Sequence, residues 1–259
     1  MNEKDALNLT EDRLVREQRF HDERFSGDDD LRQGARKFYV VNQHVRERYF
    51  EIVAQHGAGK ALLEYGCGSG GSIERWQACG VDSVTGIDIS PEGIKKARVR
   101  AKALGLPAAF FVMNAEQTEF ADDAFDIVVG AGILHHLDLN KAYAELRRIL
   151  RPGGHAVFIE PLGHNPLINF YRARTPQMRT ADEHPLLMSD LTLLRRFFHH
   201  VDLEFYGLFT LGAVPFRKTP LFGAAYRFLK AVDALALRAP GLQRHAWTVI
   251  MHASSPRKA

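Results

Sequence analysis

The stretch "ALLEYGCGSGGSI", residues 61–73, decides how the rest of the chain is read. An apolar run enters a burst of glycines and emerges as a helix-like segment. Strand, tight turn and helix N-terminus in that order make a cradle for a ligand carrying a ribose or phosphate. Gly66, Gly68 and Gly71 fit the G-x-G-x-x-G spacing of a dinucleotide loop. Gly66, Gly68 and Gly70, with an acid before them at Glu64, fit a second kind of loop. The glycines alone leave both open.

Outward from this point, β-rich and helical runs alternate. "SVTGIDI" (83–89) is strand-like, and Ser90 and Pro91 then supply an N-cap and a first helical residue. "AAFFVM" (108–113), "FDIVVGAG" (125–132) and "HAVFIEP" (155–161) are further strands, with "LNKAYAELRRIL" (139–150) helical between the last two. Beyond them come a helix "SDLTLLRRFFHH" (189–200), a strand "VDLEFYGLF" (201–209), a helix over 219–239 and a strand "HAWTVIMHA" (245–253). Upstream, Phe38, Val41, Val45, Tyr49 and Val53 recur at three- or four-residue steps before a stop at Gly57. The expected fold is α/β, a Rossmann-like doubly wound sheet of about seven strands, mostly parallel. Residues 1–58 form an N-terminal helical lid, and 59–259 the main domain, with helical cap insertions at 162–188 and 213–243. Ligands in such sheets sit at the carboxyl ends of the strands.

Composition narrows the class. Apolar residues at 46% and charged residues at 25% are ordinary for a globular chain. No run approaches the ~18 apolar residues of a membrane span, and the charged N-terminus lacks the apolar core of a secretory signal. The two cysteines, Cys67 and Cys79, suit free thiols in a reducing compartment, so a cytoplasmic location is expected. Two thiols are too few for an iron–sulfur cluster, and no zinc constellation is present. A net charge of +3 is too mild to imply nucleic acid.

Asp88 ends the second strand, placed to accept hydrogen bonds from both ribose hydroxyls, which suits NAD and S-adenosylmethionine alike. The third strand breaks the tie. It ends in Met113-Asn114-Ala115-Glu116, a polar cluster able to reach an adenine edge, and the fourth ends in the small residues Gly130-Ala131-Gly132. Glu64-x-Gly66-x-Gly68-x-Gly70, Asp88, Asn114-Ala115-Glu116, "FDIVVGAGILHHL" and "LRRILRPGGHAVFIEP" together resemble the successive motifs of class I S-adenosylmethionine-dependent methyltransferases. The resemblance is greatest to the small-molecule, type 11-like group that includes ubiquinone and sterol biosynthesis enzymes. It is close over residues 60–161 and looser over 189–252. Many relatives carry Asp where this chain has Asn114.

The resemblance implies S-adenosylmethionine as cofactor, with S-adenosylhomocysteine as product. It implies a binding set of Glu64, Gly66, Cys67, Gly68, Gly70, Asp88, Ile89, Asn114, Ala115, Glu116 and Gly130. Glu64 would brace the loop, Asp88 would hold the ribose, Ile89 would pack on adenine, and Gly130 would offer its carbonyl to the methionine ammonium.

Methyl transfer from a sulfonium is an in-line displacement, so the protein chiefly aligns the partners and removes a proton where the acceptor carries one. No metal is required. His135, His136, Glu160 and His164 are the candidate bases, each with a bland alternative in packing or strand capping. Asn165, Tyr171, Arg172, Phe222 and Tyr226 are candidate substrate contacts. The Asp/Asn-Pro-Pro-aromatic motif of adenine-N6 enzymes is missing after the fourth strand, and no RNA-binding appendage is evident. A small-molecule acceptor is therefore expected, methylated on oxygen or nitrogen rather than carbon. A cyclase or lyase using the same cofactor, or a non-catalytic cofactor sensor, would share the cofactor half.

Residues 213–259 carry eight basic side chains against one acid, Asp233. Phe222, Tyr226 and Leu229 form a stripe there that suits either a roof over the acceptor pocket or a basic face on an anionic membrane. The return of "HAWTVIMHA" to the sheet favours the roof, so no stable membrane association is expected. Oligomeric state is not legible.

Overall fold

Seven apolar runs pair into one sheet ordered β3-β2-β1-β4-β5-β7-β6. The computed structural model describes residues 3–27, 38–178, 180 and 182–258; residues 1–2 and 28–37 of the expected N-terminal extension lie outside these. Strands β1 (Ala61–Tyr65), β2 (Ser83–Asp88), β3 (Ala108–Val112), β4 (Phe125–Ala131) and β5 (Leu150–Pro161) are parallel. Strand β7 (Thr248–Pro256) runs antiparallel between β5 and β6 (Phe198–Tyr206). The expected doubly wound, mostly parallel sheet is present.

Alternation along the strands builds two cores. Leu62, Ile127, Val157 and Ile250 face Val45, Tyr49, Ile52 and Val53 of helix α2 (Gln43–Gly57) and Trp76 of α3 (Ile73–Ala78). Their neighbours Leu63, Val128, Phe158 and Met251 face α5 (Leu139–Ile149) and α7 (Met188–Leu194). Each fully buried side chain of this kind contributes roughly 1.5–3 kcal/mol. A one-residue slip would turn both sets outward, so the register is fixed.

Helix α4 (Pro91–Leu104) begins as its sequence directs. Ser90 Oγ accepts from Gly93 N at 3.0 Å, and Gly105 closes the helix at φ 65°. One expectation is corrected: Phe198–His200 are strand, not the end of a helix. Phe198 pairs with Pro256 and His200 with Ser254 of β7, and this long-range ladder overrides the local helical spacing.

Helix α1 (Glu3–Ser26) lies against α4, and α6 (Pro166–Ala173) follows β5. Helix α8 (Phe222–Ala236) packs Phe222, Tyr226 and Leu229 on a cluster containing Val41, Ile168, Leu211, Val214 and Trp247. Among the described residues, no helix is long and apolar enough to cross a membrane.

Candidate active site

A cavity of about 580 Å3 opens at the carboxyl ends of β1, β2, β4 and β5. Its floor is the glycine loop. Gly66, Gly68 and Gly70 have φ of 64°, 51° and 71°, left-handed values that favour glycine, whereas Gly71 does not share them. A Cβ on Gly66 would lie 3.0 Å from Ile133, and one on Gly70 3.1 Å from Ala97. The loop is therefore built on Gly66, Gly68 and Gly70 behind Glu64. Cys67 N donates to Ile87 O at 2.9 Å and joins the loop to β2.

Glu64 is buried beneath this loop and accepts from Trp76 Nε1 at 2.9 Å. Burial pushes its carboxyl up to about 7, while hydrogen bonds from Trp76 and Ser72 pull the other way. Asp88 closes the floor. Its Oδ2 accepts from Gly68 N (2.8 Å) and its Oδ1 from Ser90 N (2.9 Å). Each oxygen keeps a further lone pair for a ligand hydroxyl. Ile89, Asn114, Ala115 and Cys67 also line the cavity.

Three residues implied as cofactor contacts stand behind the lining instead. Gly70 packs on Ala97. Glu116 is buried, accepting from Asp138 N at 2.7 Å and from Arg13. Gly130 has no room for a side chain, with 2.6 Å between its Cβ position and Phe158, and it is outside the cavity lining. Ala131 and Gly132 line the end of β4 in its place.

Above the floor lies an acid–base network. Glu160 Oε1 accepts from Ile133 N and Leu134 N at 2.9 Å each, and Oε2 meets His135 Nδ1 at 2.7 Å. A carboxylate accepts, so His135 Nδ1 is the donor, and in the neutral imidazole Nε2 then keeps its lone pair. Glu160 thus holds the β4 turn through Oε1 and aims His135 through Oε2, the part of a positioning residue beside its candidacy as a base. His135 Nε2 is 3.8 Å from Glu183 Oε1.

His136 is buried, which lowers its pKa, and its Nδ1 lies 3.1 Å from Glu17 Oε2 on α1. Burial alone would raise the Glu17 carboxyl. Its close contacts with His136 and His21 and the hydrogen bond from Thr180 more than reverse this and hold it well below the usual carboxylate range.

The remaining candidates divide. Tyr171 and Arg172 line the cavity. His164 does not; its carbonyl lies 3.1 Å from His245 Nδ1. Asn165 is buried as the N-cap of α6, accepting from Ile168 N at 3.0 Å and donating to His245 O at 2.8 Å, so its side chain is held in the fold and it is outside the cavity lining. Phe222 and Tyr226 lie behind Trp247, and Tyr226 Oη is 2.6 Å from His44 Nδ1. The roof they were expected to form is one layer further out than the cavity wall.

Sequence reasoning missed the wall supplied from elsewhere. Leu14, Glu17, His21 and Phe25 come from α1, Asn42 and Arg46 from the start of α2, and Trp247 and Thr248 from the start of β7. The Phe25 ring lies against Gly68 and Gly93. Two sets of ligand-type atoms, Glu17–His21–His136 and His135–His136–Glu183, each fall within 4.8 Å of one another. Such sets also suit a divalent cation.

Comparison with known proteins bears on what this cavity takes. Residues 63–158 match the family model of a methyltransferase domain. The phthiotriol/phenolphthiotriol dimycocerosates methyltransferase of Mycobacterium leprae is 32% identical over 127 residues, 47% of this chain and 46% of that protein. The ubiquinone/menaquinone biosynthesis C-methyltransferase of Bdellovibrio bacteriovorus is 34% identical over 105 residues, 40% of this chain and 45% of that protein. The chain thus spans about half the length of these curated relatives. Among solved structures, the geranyl diphosphate C-methyltransferase of Streptomyces coelicolor has been crystallised with Mg2+, geranyl diphosphate and S-adenosylhomocysteine. It shares the fold at a TM-score of 0.57 and 17% identity, over 82% of this chain and 80% of that one.

Proposed function

We propose that this chain, whose residues 63–158 match the family model of a methyltransferase domain, is of the type 11 group of S-adenosylmethionine-dependent methyltransferases, binds S-adenosylmethionine and methylates a small molecule. One observation carries the reading: a single cavity joins the left-handed glycine loop and Asp88 to the His135–Glu160 pair. Gly66, Gly68 and Asp88 would hold the methionine and ribose portions, Ile89 and Asn114 the adenine. Arg46 offers a guanidinium on the same side of the cavity as buried Glu64.

Bound S-adenosylmethionine supplies an electrophilic methyl group on a sulfonium, which leaves as a neutral thioether. The chain's own task is alignment and proton removal. His135, aimed by Glu160, takes the proton of a hydroxyl or amine acceptor on Nε2, so oxygen or nitrogen is the favoured target. Phe38, Ile168, Tyr171, Met178 and Trp247 line the far wall and suit an apolar or aromatic acceptor body. Neither step needs a metal.

Incubation with the cofactor and a metabolite extract, read by mass spectrometry, tests this. A product heavier by one methylene, with S-adenosylhomocysteine, supports transfer. Methylthioadenosine would assign the chain to cyclase or lyase chemistry, and tight binding without turnover to cofactor sensing. Calorimetric binding of NAD in preference to the adenosyl-sulfonium would overturn the cofactor assignment.

A further inference from the structure

Helix α8 carries a second apolar stripe that the fold leaves uncovered. Leu221, Ala224, Phe228, Ala231 and Leu235 recur at three- and four-residue steps through and just before the helix. All five are exposed, Leu221 at 61% and Phe228 and Leu235 at 69% each. They lie on the side opposite Phe222, Tyr226 and Leu229, the residues that pack on the protein. Phe216, 40% exposed, extends the patch just before the helix. An outward helix face is normally polar, and a continuous exposed apolar row marks a contact surface.

Charge says what kind of contact. Arg217, Lys218, Arg227, Lys230, Arg238 and Arg244 are all exposed in this segment; on the helix Arg227 flanks the stripe, and Lys230 lies toward the packed side near His44. The one acid in residues 213–259, Asp233, is buried, and its oxygens accept from Phe209 N, Thr210 N and Thr210 Oγ1. Residues 213–258 therefore present an apolar spine with cations beside it and no exposed acid of their own, while the exposed Glu47 of α2 lies near Tyr226 on the packed side of the helix. A second copy of this chain would set like charges against each other. An anionic surface with accessible hydrocarbon is complementary to both features.

We propose that the outer face of α8 docks this chain on an anionic phospholipid bilayer, with Leu221, Phe228 and Leu235 entering the acyl boundary and the flanking Arg and Lys side chains meeting lipid phosphates. The inner face of the same helix packs on Trp247, which also lines the cavity, so docking brings the cavity beside the bilayer. The expectation of no stable membrane association came from turning the apolar side of this helix inward. The helix has two such sides.

Co-sedimentation with vesicles of phosphatidylglycerol and phosphatidylcholine in equal parts, against pure phosphatidylcholine, tests the proposal. Binding to the anionic vesicles should be about tenfold tighter or more, and should weaken as salt rises. Phe228→Glu with Leu235→Glu should lower it by about tenfold or more, and Arg227→Ala with Lys230→Ala should remove most of the salt-sensitive part. These positions are exposed, so the variants should melt like the parent by circular dichroism, which separates lost docking from lost folding. Absence of binding to anionic vesicles at low salt overturns the proposal, as does unchanged binding by the glutamate variant. A concentration-dependent dimer abolished by that variant, without vesicle binding, assigns the face to a second copy instead.

Discussion

Asp88 does two jobs with one carboxylate, since it ties Gly68 and Ser90 to the end of β2 while facing the cavity. Asp88→Asn keeps one acceptor oxygen but loses the charge. S-adenosylhomocysteine binding should weaken by roughly 1.5–3 kcal/mol in calorimetric titration; unchanged affinity would remove the residue from the site. His135→Ala should slow turnover about a hundredfold or more if Nε2 takes the acceptor proton. Glu160→Gln should also slow it and alter the pH profile, because an amide oxygen no longer fixes which imidazole nitrogen carries the proton. Near-normal rates in both variants would mean that the proposed transfer proceeds by alignment alone. At this scale the sequence was partly legible. The loop glycines and Asp88 announced themselves because a left-handed turn and a strand-end acid leave local marks. His164 and Asn165 were harder to read for the opposite reason. What a loop side chain faces depends on elements far away in the chain, and Asn165 turned out to be spent on a helix cap and a backbone carbonyl.

The cavity is completed by an element expected as part of a lid, though no local pattern marked which of its side chains reach the glycine loop. Helix α1 mixes both charge signs, and nothing in its spacing points toward the glycine loop. Yet it touches both ends of the cavity: Glu17 pairs with His136, while Asp22 meets Ser90 Oγ and Phe25 covers Gly68. An element that bridges the two ends in this way is expected to act as a cover. Phe25→Ala should therefore weaken cofactor binding by about tenfold, the effect of roughly 1.5 kcal/mol of lost apolar contact. Stopped-flow release of S-adenosylhomocysteine should show the change mainly in the off-rate. A variant with the parent's off-rate would place the ring outside the bound cofactor's contacts. The strands and α4 were legible because period-two alternation and Ser-Pro capping are local signals. The depth of Phe222 and Tyr226 was not, since a stripe shows which side is buried but not what lies behind it.

Two buried groups in opposite parts of the sheet set the stability of the whole fold against each other. Glu64 is raised by burial from its ordinary 4.5 to about 7. Its contribution is full below pH 4.5 and is lost as pH rises to 7. His155 is half-buried, lies 4.3 Å from His56 ring to ring, is hydrogen-bonded to His252, and is lowered by burial and by those neighbours from 6.5 to about 4. Its contribution is full above 6.5 and is lost as pH falls to 4. The slopes oppose each other over nearly the same window. Glu64→Gln should therefore leave a cofactor-free protein whose stability rises with pH from about 4 to 6.5, and which exceeds the parent by roughly 2–3 kcal/mol at pH 8. His155→Gln should show the reverse slope, shallower because water screens a half-buried ring. Denaturant melts across this range check both; parallel curves for parent and variants would show the two groups ionise as in the unfolded chain. The sheet order has a temporal consequence as well. Strands β5 and β6 pair through β7 and not with each other. While the ribosome is still making residues 207–247, two finished strands wait with open edges, the kind of surface that recruits other chains. Synthesis of residues 248–256 closes both at once, so the moment of greatest vulnerability to aggregation comes late, just before this strand is complete.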